Sequence, residues 1–136
     1  MMNLQEQREA TVRRHMEAEN RHDVEGTVET FGHARYEVMP FGAPTDGADA
    51  VRGLLGALMA AFPDFHVEET AMYHASSAVI VETRMTGTQQ GEWLGLPSTG
   101  KKIDVQAACF FLFEGAELMC ERVYFDNATM MSQLRG

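Results

Sequence analysis

Gly87-Thr88-Gln89-Gln90-Gly91-Glu92-Trp93-Leu94-Gly95-Leu96-Pro97-Ser98-Thr99-Gly100-Lys101 is the stretch that decides the fold. It is rich in Gly, Pro, Ser and Thr, and it holds the only tryptophan of the chain. Glycine tolerates positive φ and proline fixes φ, so such a run reads as a loop. Apolar runs flank it, Ala78–Met85 before and Ile103–Phe113 and Leu118–Phe125 after, and these read as strands. A connection this long is unusual unless it covers a site or makes an interface. The upstream segments then read as material that closes one side of the sheet.

The chain has 136 residues, the size of one domain, and at that size it folds without needing a metal or a disulfide. Its formal net charge is −9 and its basic residues cluster only at Arg13-Arg14 and Lys101-Lys102. Nucleic-acid binding needs a basic patch to release counterions, so that class is set aside. No uninterrupted apolar run is long enough to span a bilayer, and the polar N-terminus has no signal-peptide character, so a cytoplasmic protein is expected. The two cysteines make neither a disulfide framework nor a zinc site. A turn confined to Glu114-Gly115 would set Cys109 opposite Cys120; in a reducing compartment two free thiols are the expectation.

In chain order, residues 3–20 read as a helix with Leu4, Arg8, Thr11, Val12, His15, Met16 and Glu19 along one side. His15 sits at a helix–sheet seam or against a ligand. Asp23 is an N-cap for a short second helix ending near Gly32. Residues 34–41 read as a strand stopped at Pro40 and Gly42. Asp46 is expected to cap a third helix, whose Val51, Leu54, Leu55, Leu58, Met59 and Phe62 give the clearest apolar periodicity of the chain. Pro63 ends it. Four more strands follow, making five, the third and fourth of the five joined by the long loop, and Asp126 caps a last helix over residues 128–134. This order puts helices on one side of a mostly antiparallel sheet.

Four motifs now form a series. Phe62-Pro63-Asp64-Phe65-His66-Val67-Glu68 follows the third helix; the loop comes next; then Phe111-Leu112-Phe113-Glu114-Gly115; and last Tyr124-Phe125-Asp126 with Gln133-Leu134. The series resembles the SnoaL-like polyketide and ester cyclase branch of the nuclear transport factor 2-like superfamily. It runs from about residue 60 to the end; before that only the element order and the Asn20…Asp23 step agree. The resemblance implies a conical single α+β domain spanning residues 1–136. A strongly curved, mostly antiparallel sheet wraps three helices from the N-terminal half and leaves an apolar cavity. It also implies a homodimer and an intramolecular aldol condensation on a polyketide ester, without cofactor or metal.

Such a reaction requires an acid/base group in a dry pocket, to take a proton from beside a carbonyl and to support the enolate. The family's aspartate falls at Val123, its histidine at Ala108 within one residue, and the loop histidine at Gln89. None of these supplies the expected base. If Val123 faces the cavity, strand alternation sends Glu121 and Phe125 the same way. Glu82, between Val81 and Thr83, is a second candidate, with Arg84 and Arg122 as partners. A carboxylate among apolar strand residues has its pKa raised, which suits a base working near neutrality. Asp126 completes the candidate acids, although capping is its simpler role. Ligand contacts are expected from His15, Tyr36, Trp93 and Tyr124, with Trp93 as a lid or as an anchor of the loop. Three functions remain open: acid/base chemistry on a small apolar carbonyl or ester compound, a non-catalytic pocket for a hydrophobic molecule, or a dimerisation domain.

Overall fold

A computed structural model describes all of residues 1–136. Helix α1 (Leu4–Asn20) begins at Asn3, whose side chain accepts the Glu6 N–H at 2.9 Å. Its buried stripe carries Val12, His15, Met16 and Glu19 toward the sheet. At its other end the Asn20 amide brackets Val67, accepting from its N–H at 2.8 Å and donating to its carbonyl at 3.0 Å. Helix α2 (Val24–Glu29) is capped by Asp23, which accepts from Gly26.

Strand β1 (Arg35–Val38) stops earlier than expected, because Met39–Phe41 winds into a short 3-10 turn with Pro40 near its start. A two-residue strand, β2 (Thr45–Asp46), lies in residues 43–48, which read as a turn from the sequence. Asp46 does not cap α3 (Ala48–Ala61): that position is Gly47, with φ of 93° and no capping side chain. Asp46 instead accepts from the His33 ring at 2.9 Å and the Arg35 guanidinium at 3.0 Å.

Strands β3 (His66–His74), β4 (Ala78–Thr88), β5 (Lys102–Glu114) and β6 (Glu117–Phe125) complete a six-stranded sheet in the order β2-β1-β6-β5-β4-β3. Only β1 and β6 run parallel. Bulges between Glu69 and Ala71 and between Leu112 and Phe113 bend the strands, and the sheet curves round α1–α3 as a cone. Helix α4 (Asn127–Arg135) is capped by Asp126. The turn falls at Gly115-Ala116, one residue later than Glu114-Gly115, and the β5–β6 bulge adds one more step, so Cys109 lies opposite Val123 and Cys120 opposite Leu112. The two thiols do not face each other, and both are free and buried. No helix is long and apolar enough to cross a membrane.

Residues 89–101 are a packed loop organised by one side chain. Gln89 is fully buried; its amide N–H groups donate to the Gly91, Leu96 and Pro97 carbonyls, and its Oε1 accepts from the Thr99 hydroxyl at 2.9 Å. Trp93 and Leu96 exchange both backbone hydrogen bonds across a tight turn at Leu94 and Gly95, which have φ of 51° and 81°. The backbone N–H groups of Gln90 and Gly91 donate to the last carbonyl of α3, a group the helix itself leaves unpaired. A side chain at Gly91 would meet the Ala60 carbonyl oxygen at 3.0 Å, so this close passage needs glycine. Asp64 ties the adjacent motif in, accepting from the Thr88 N–H at 2.6 Å and its hydroxyl at 2.8 Å.

Candidate functional site

The inner face of the cone encloses a cavity of about 90 Å³. Its wall is apolar for 17 of 20 lining residues, including Leu55, Phe65, Trp93, Phe111 and Phe125. Polarity is confined to one corner, where α1 presents Glu19, β1 presents Tyr36, β4 presents Thr83 and β6 presents Glu121. His15 lies behind that corner with no exposure.

The corner forms one chain of donations. Thr30 gives its single hydroxyl proton to the Thr27 carbonyl at 2.7 Å, so it accepts from His15 Nδ1–H at 2.8 Å. Tyr36 gives its hydroxyl proton to Glu19 Oε2 at 2.9 Å. The Tyr36 oxygen lies 2.9 Å from His15 Nε2 and therefore accepts from it. His15 thus carries protons on both nitrogens and is a cation. Its Nε2 also lies 2.8 Å from Glu121 Oε1 and 3.4 Å from Glu19 Oε2. The N–H is shared with Tyr36, and Glu121 Oε1, although buried, has no well-aligned donor of its own.

Burial alone would lower His15; its Nε2–H pointing at the Glu121 and then the Glu19 carboxylate outweighs it and raises its pKa to about 10. Burial raises the Glu121 carboxyl above its ordinary value, and pairing with His15 only partly offsets this. The two shifts describe a coupled pair that holds a proton tightly. Burial also pushes the Tyr36 hydroxyl and the Cys109 thiol well up, so both stay neutral. His15, Glu19 and Glu121 have ligating atoms within 4.8 Å of one another, the spacing of a cation site. The Nε2 lone pair a metal would need holds a proton instead.

The family model for SnoaL-like polyketide cyclases matches residues 9–134. The chain belongs to the SnoaL-like polyketide cyclase family. Solved structures carry the same fold. A candidate SnoaL-like polyketide cyclase from Jannaschia sp. CCS1 is 20% identical with a TM-score of 0.86, over 98% of this chain and 95% of that one. AclR, a candidate hydroxylase from Streptomyces galilaeus, is 21% identical with a TM-score of 0.82, over 98% of each chain. A ketosteroid isomerase-like protein from Catenulispora acidiphila, solved with trimethylamine, is 19% identical with a TM-score of 0.79, over 92% of each. No match was found among curated proteins.

This SnoaL-like chain places its family positions as follows. Val123 lines the cavity together with Glu121 and Phe125, as alternation requires. Ala108 lies on the outer face, opposite Glu82 and Tyr124; its inward neighbours are Ala107 and Cys109. Gln89 serves the loop and is not among the cavity residues. Trp93 is part of the wall, edge-on to Phe41 and Phe62, and its buried indole N–H has no acceptor.

Of the residues singled out from sequence, His15, Tyr36 and Glu121 converge at the polar corner and Trp93 joins them in the cavity. The others lie elsewhere. Glu82 is exposed on the outer face and accepts from the Tyr73 hydroxyl at 3.0 Å. Neither arginine pairs with it: Arg84 binds Asp104 through two hydrogen bonds, and Arg122 binds Glu37 at 2.6 Å. Tyr124 is on the outer face too, edge-on to Phe110. Asp126 is exposed and accepts from Thr129 N–H and hydroxyl at the start of α4. Glu19, which the sequence places on the α1 stripe but does not mark as a site residue, and Thr30 complete the corner. The spacing of His15 and Glu19, one helical turn apart in the same stripe, was the available signal for the first. Nothing local marks Thr30, which meets His15 only through the turn between α1 and α2.

Proposed function

We propose that this SnoaL-like protein performs cofactor-independent acid/base chemistry on a small apolar carbonyl or ester compound, of the cyclase, isomerase or dehydratase type, with Glu121 as the base. The supporting observation is a carboxylate of raised pKa lining an apolar cavity, 2.8 Å from an imidazolium. Glu121 takes a proton from the carbon beside the substrate carbonyl, and the C–H electron pair moves into the enolate. His15 keeps its positive charge throughout. It holds Glu121 ionised before the transfer and balances the enolate after it. The enolate then attacks a second carbonyl, expels a leaving group or regains the proton at another carbon. Val123 leaves space beside Glu121 where the characterised cyclases have their acid, so the base moves by two residues along the same inner face of β6.

The titratable corner favours this reading over a purely passive pocket. The step common to all three reactions is proton removal, so the test needs no knowledge of the natural substrate. Deuterium exchange at the α-carbons of 2-tetralone, followed by NMR, should be accelerated by the protein. Glu121→Gln should abolish most of that acceleration. An unchanged rate in Glu121→Gln, with the fold intact by circular dichroism, would remove Glu121 from the role.

The same proposal includes a homodimer through the outer face of the sheet, where Tyr73 and Tyr124 are exposed and Phe110 is half-buried. A monomer in sedimentation at micromolar concentration would overturn it. Two buried free thiols suit a reducing cytoplasm.

A further inference from the structure

We propose that the polar corner of the cavity is a cation subsite, and that the molecule it takes is apolar with one protonated or quaternary nitrogen. The inference rests on the acid/base reading only in placing the ligand in the same cavity. One imidazolium faces two carboxylates there, which leaves one negative charge unbalanced in a largely apolar interior. No lysine or arginine lines the cavity to balance it. Glu19 and Glu121 both line the cavity and are only 7% and 5% exposed. The fold uses one oxygen of Glu19 on Tyr36 and sets one oxygen of Glu121 against His15; beyond these only the weak thiol donor of Cys109 reaches Glu121. Glu121 Oε1 itself lacks an aligned donor, so the corner is short of donors.

A buried charge without a partner is costly, and the chain offers no group to relieve it. An ammonium supplies both missing elements, a positive charge and N–H or polarised C–H donors. The rest of the wall suits the same ligand. Tyr36, Phe41, Phe65, Trp93, Phe111 and Phe125 present aromatic surface, which attracts cations as well as apolar bodies. The net charge of −9 adds a long-range pull of the same sign. A neutral ligand would leave the unbalanced charge in place, or require a carboxylate to take up a proton first.

The test compares two isosteric probes, benzyltrimethylammonium and neutral neopentylbenzene, by the fluorescence of Trp93, the single tryptophan. The cation should bind at least about tenfold more tightly than its isostere. That preference should persist in about 0.5 M salt, which screens surface attraction but not a buried pair. Glu19→Gln and Glu121→Gln should each narrow it. Equal or weaker binding of the cation by the native protein overturns the proposal without recourse to any variant, as does a preference that vanishes in salt. The outcome is separable from catalysis. Exchange activity without cation preference sinks the subsite alone, and cation preference without exchange activity sinks the acid/base reading alone.

Discussion

The two faces of the sheet carry the same hydrogen bond in two settings. Inside, Tyr36 donates to Glu19 at 2.9 Å; outside, Tyr73 donates to Glu82 at 3.0 Å. The inner pair is buried and joined to an imidazolium and a second carboxylate. The outer tyrosine is 53% exposed. Strand β6 repeats the contrast over consecutive residues, since Glu121 faces the cavity while Arg122 turns outward to Glu37. Water stabilises a charged carboxylate on the outside, and on the inside only the protein can. Residue type alone therefore says little about reactivity here. The face on which a carboxylate falls decides whether it becomes a base or a surface charge.

The largest expected difference between the faces is in exchange activity. Glu121→Gln should lower the 2-tetralone exchange rate by roughly 10²–10⁴-fold, the usual contribution of a positioned base. Glu82→Gln should leave it within about twofold, because an exposed side chain on the far face touches no reacting atom. Equal losses in the two variants would erase the distinction on which the site assignment stands.

Stability against pH sharpens the same comparison. His15 is raised from 6.5 to about 10, so its pairing stabilises the fold fully below pH 6.5, and that contribution is lost as pH rises through about 10. Glu121, also raised, acts in the same direction. The outer carboxylates Glu37 and Asp104 are lowered, chiefly by hydrogen bonds from Arg122 and Arg84. Their contribution is present above the ordinary carboxylate range and is lost as pH falls through their lowered values. The inner face should thus set the alkaline limb of thermal stability and the outer face the acid limb. Melting curves of Glu121→Gln should show a flatter decline between pH 6.5 and 10 than the native protein, since His15 loses its strongest partner. A decline as steep as that of the native protein would show that His15 does not hold its proton through Glu121.

How far the sequence reached follows the same division. The helix α3 stripe, the four long strands and the loop were legible because each rests on local periodicity or turn chemistry. Glu121 was legible because alternation along β6 ties its direction to that of Val123 and Phe125. Glu82 shows the limit. Its neighbours Val81 and Thr83 are buried, but they point inward and Glu82 outward, so apolar neighbours in sequence gave it no apolar surroundings. Cys109 and Cys120 do not face each other because the turn falls at Gly115-Ala116, which shifts the partners by two, and the bulge at Leu112 and Phe113, invisible to a count of positions, adds one more. Gln89 was read through its family position, whereas its role is to satisfy three carbonyls of a folded-over loop. Gln89→Ala should cost roughly 2–3 kcal/mol in urea unfolding, since carbonyls buried beneath the loop lose their donors. It should leave cation binding and exchange intact wherever the protein remains folded.

The smallest effects come from the two tyrosines, and they test the comparison most directly. Tyr36→Phe removes the donor of a buried carboxylate and the acceptor that His15 Nε2–H shares with Glu121. It should destabilise the fold by about 1–3 kcal/mol, the usual consequence of leaving a buried polar group unpaired. The vacated N–H can then turn squarely to Glu121 Oε1, which recovers part of the loss and keeps the figure below that for removing a charged member. Tyr73→Phe removes an equivalent bond at nearly the same length, but water replaces the hydroxyl at Glu82. Its effect should stay within about 0.5 kcal/mol. If the two substitutions proved equally mild, the inner corner would be wetter than its geometry indicates. A raised pKa at Glu121 would then lose its physical cause.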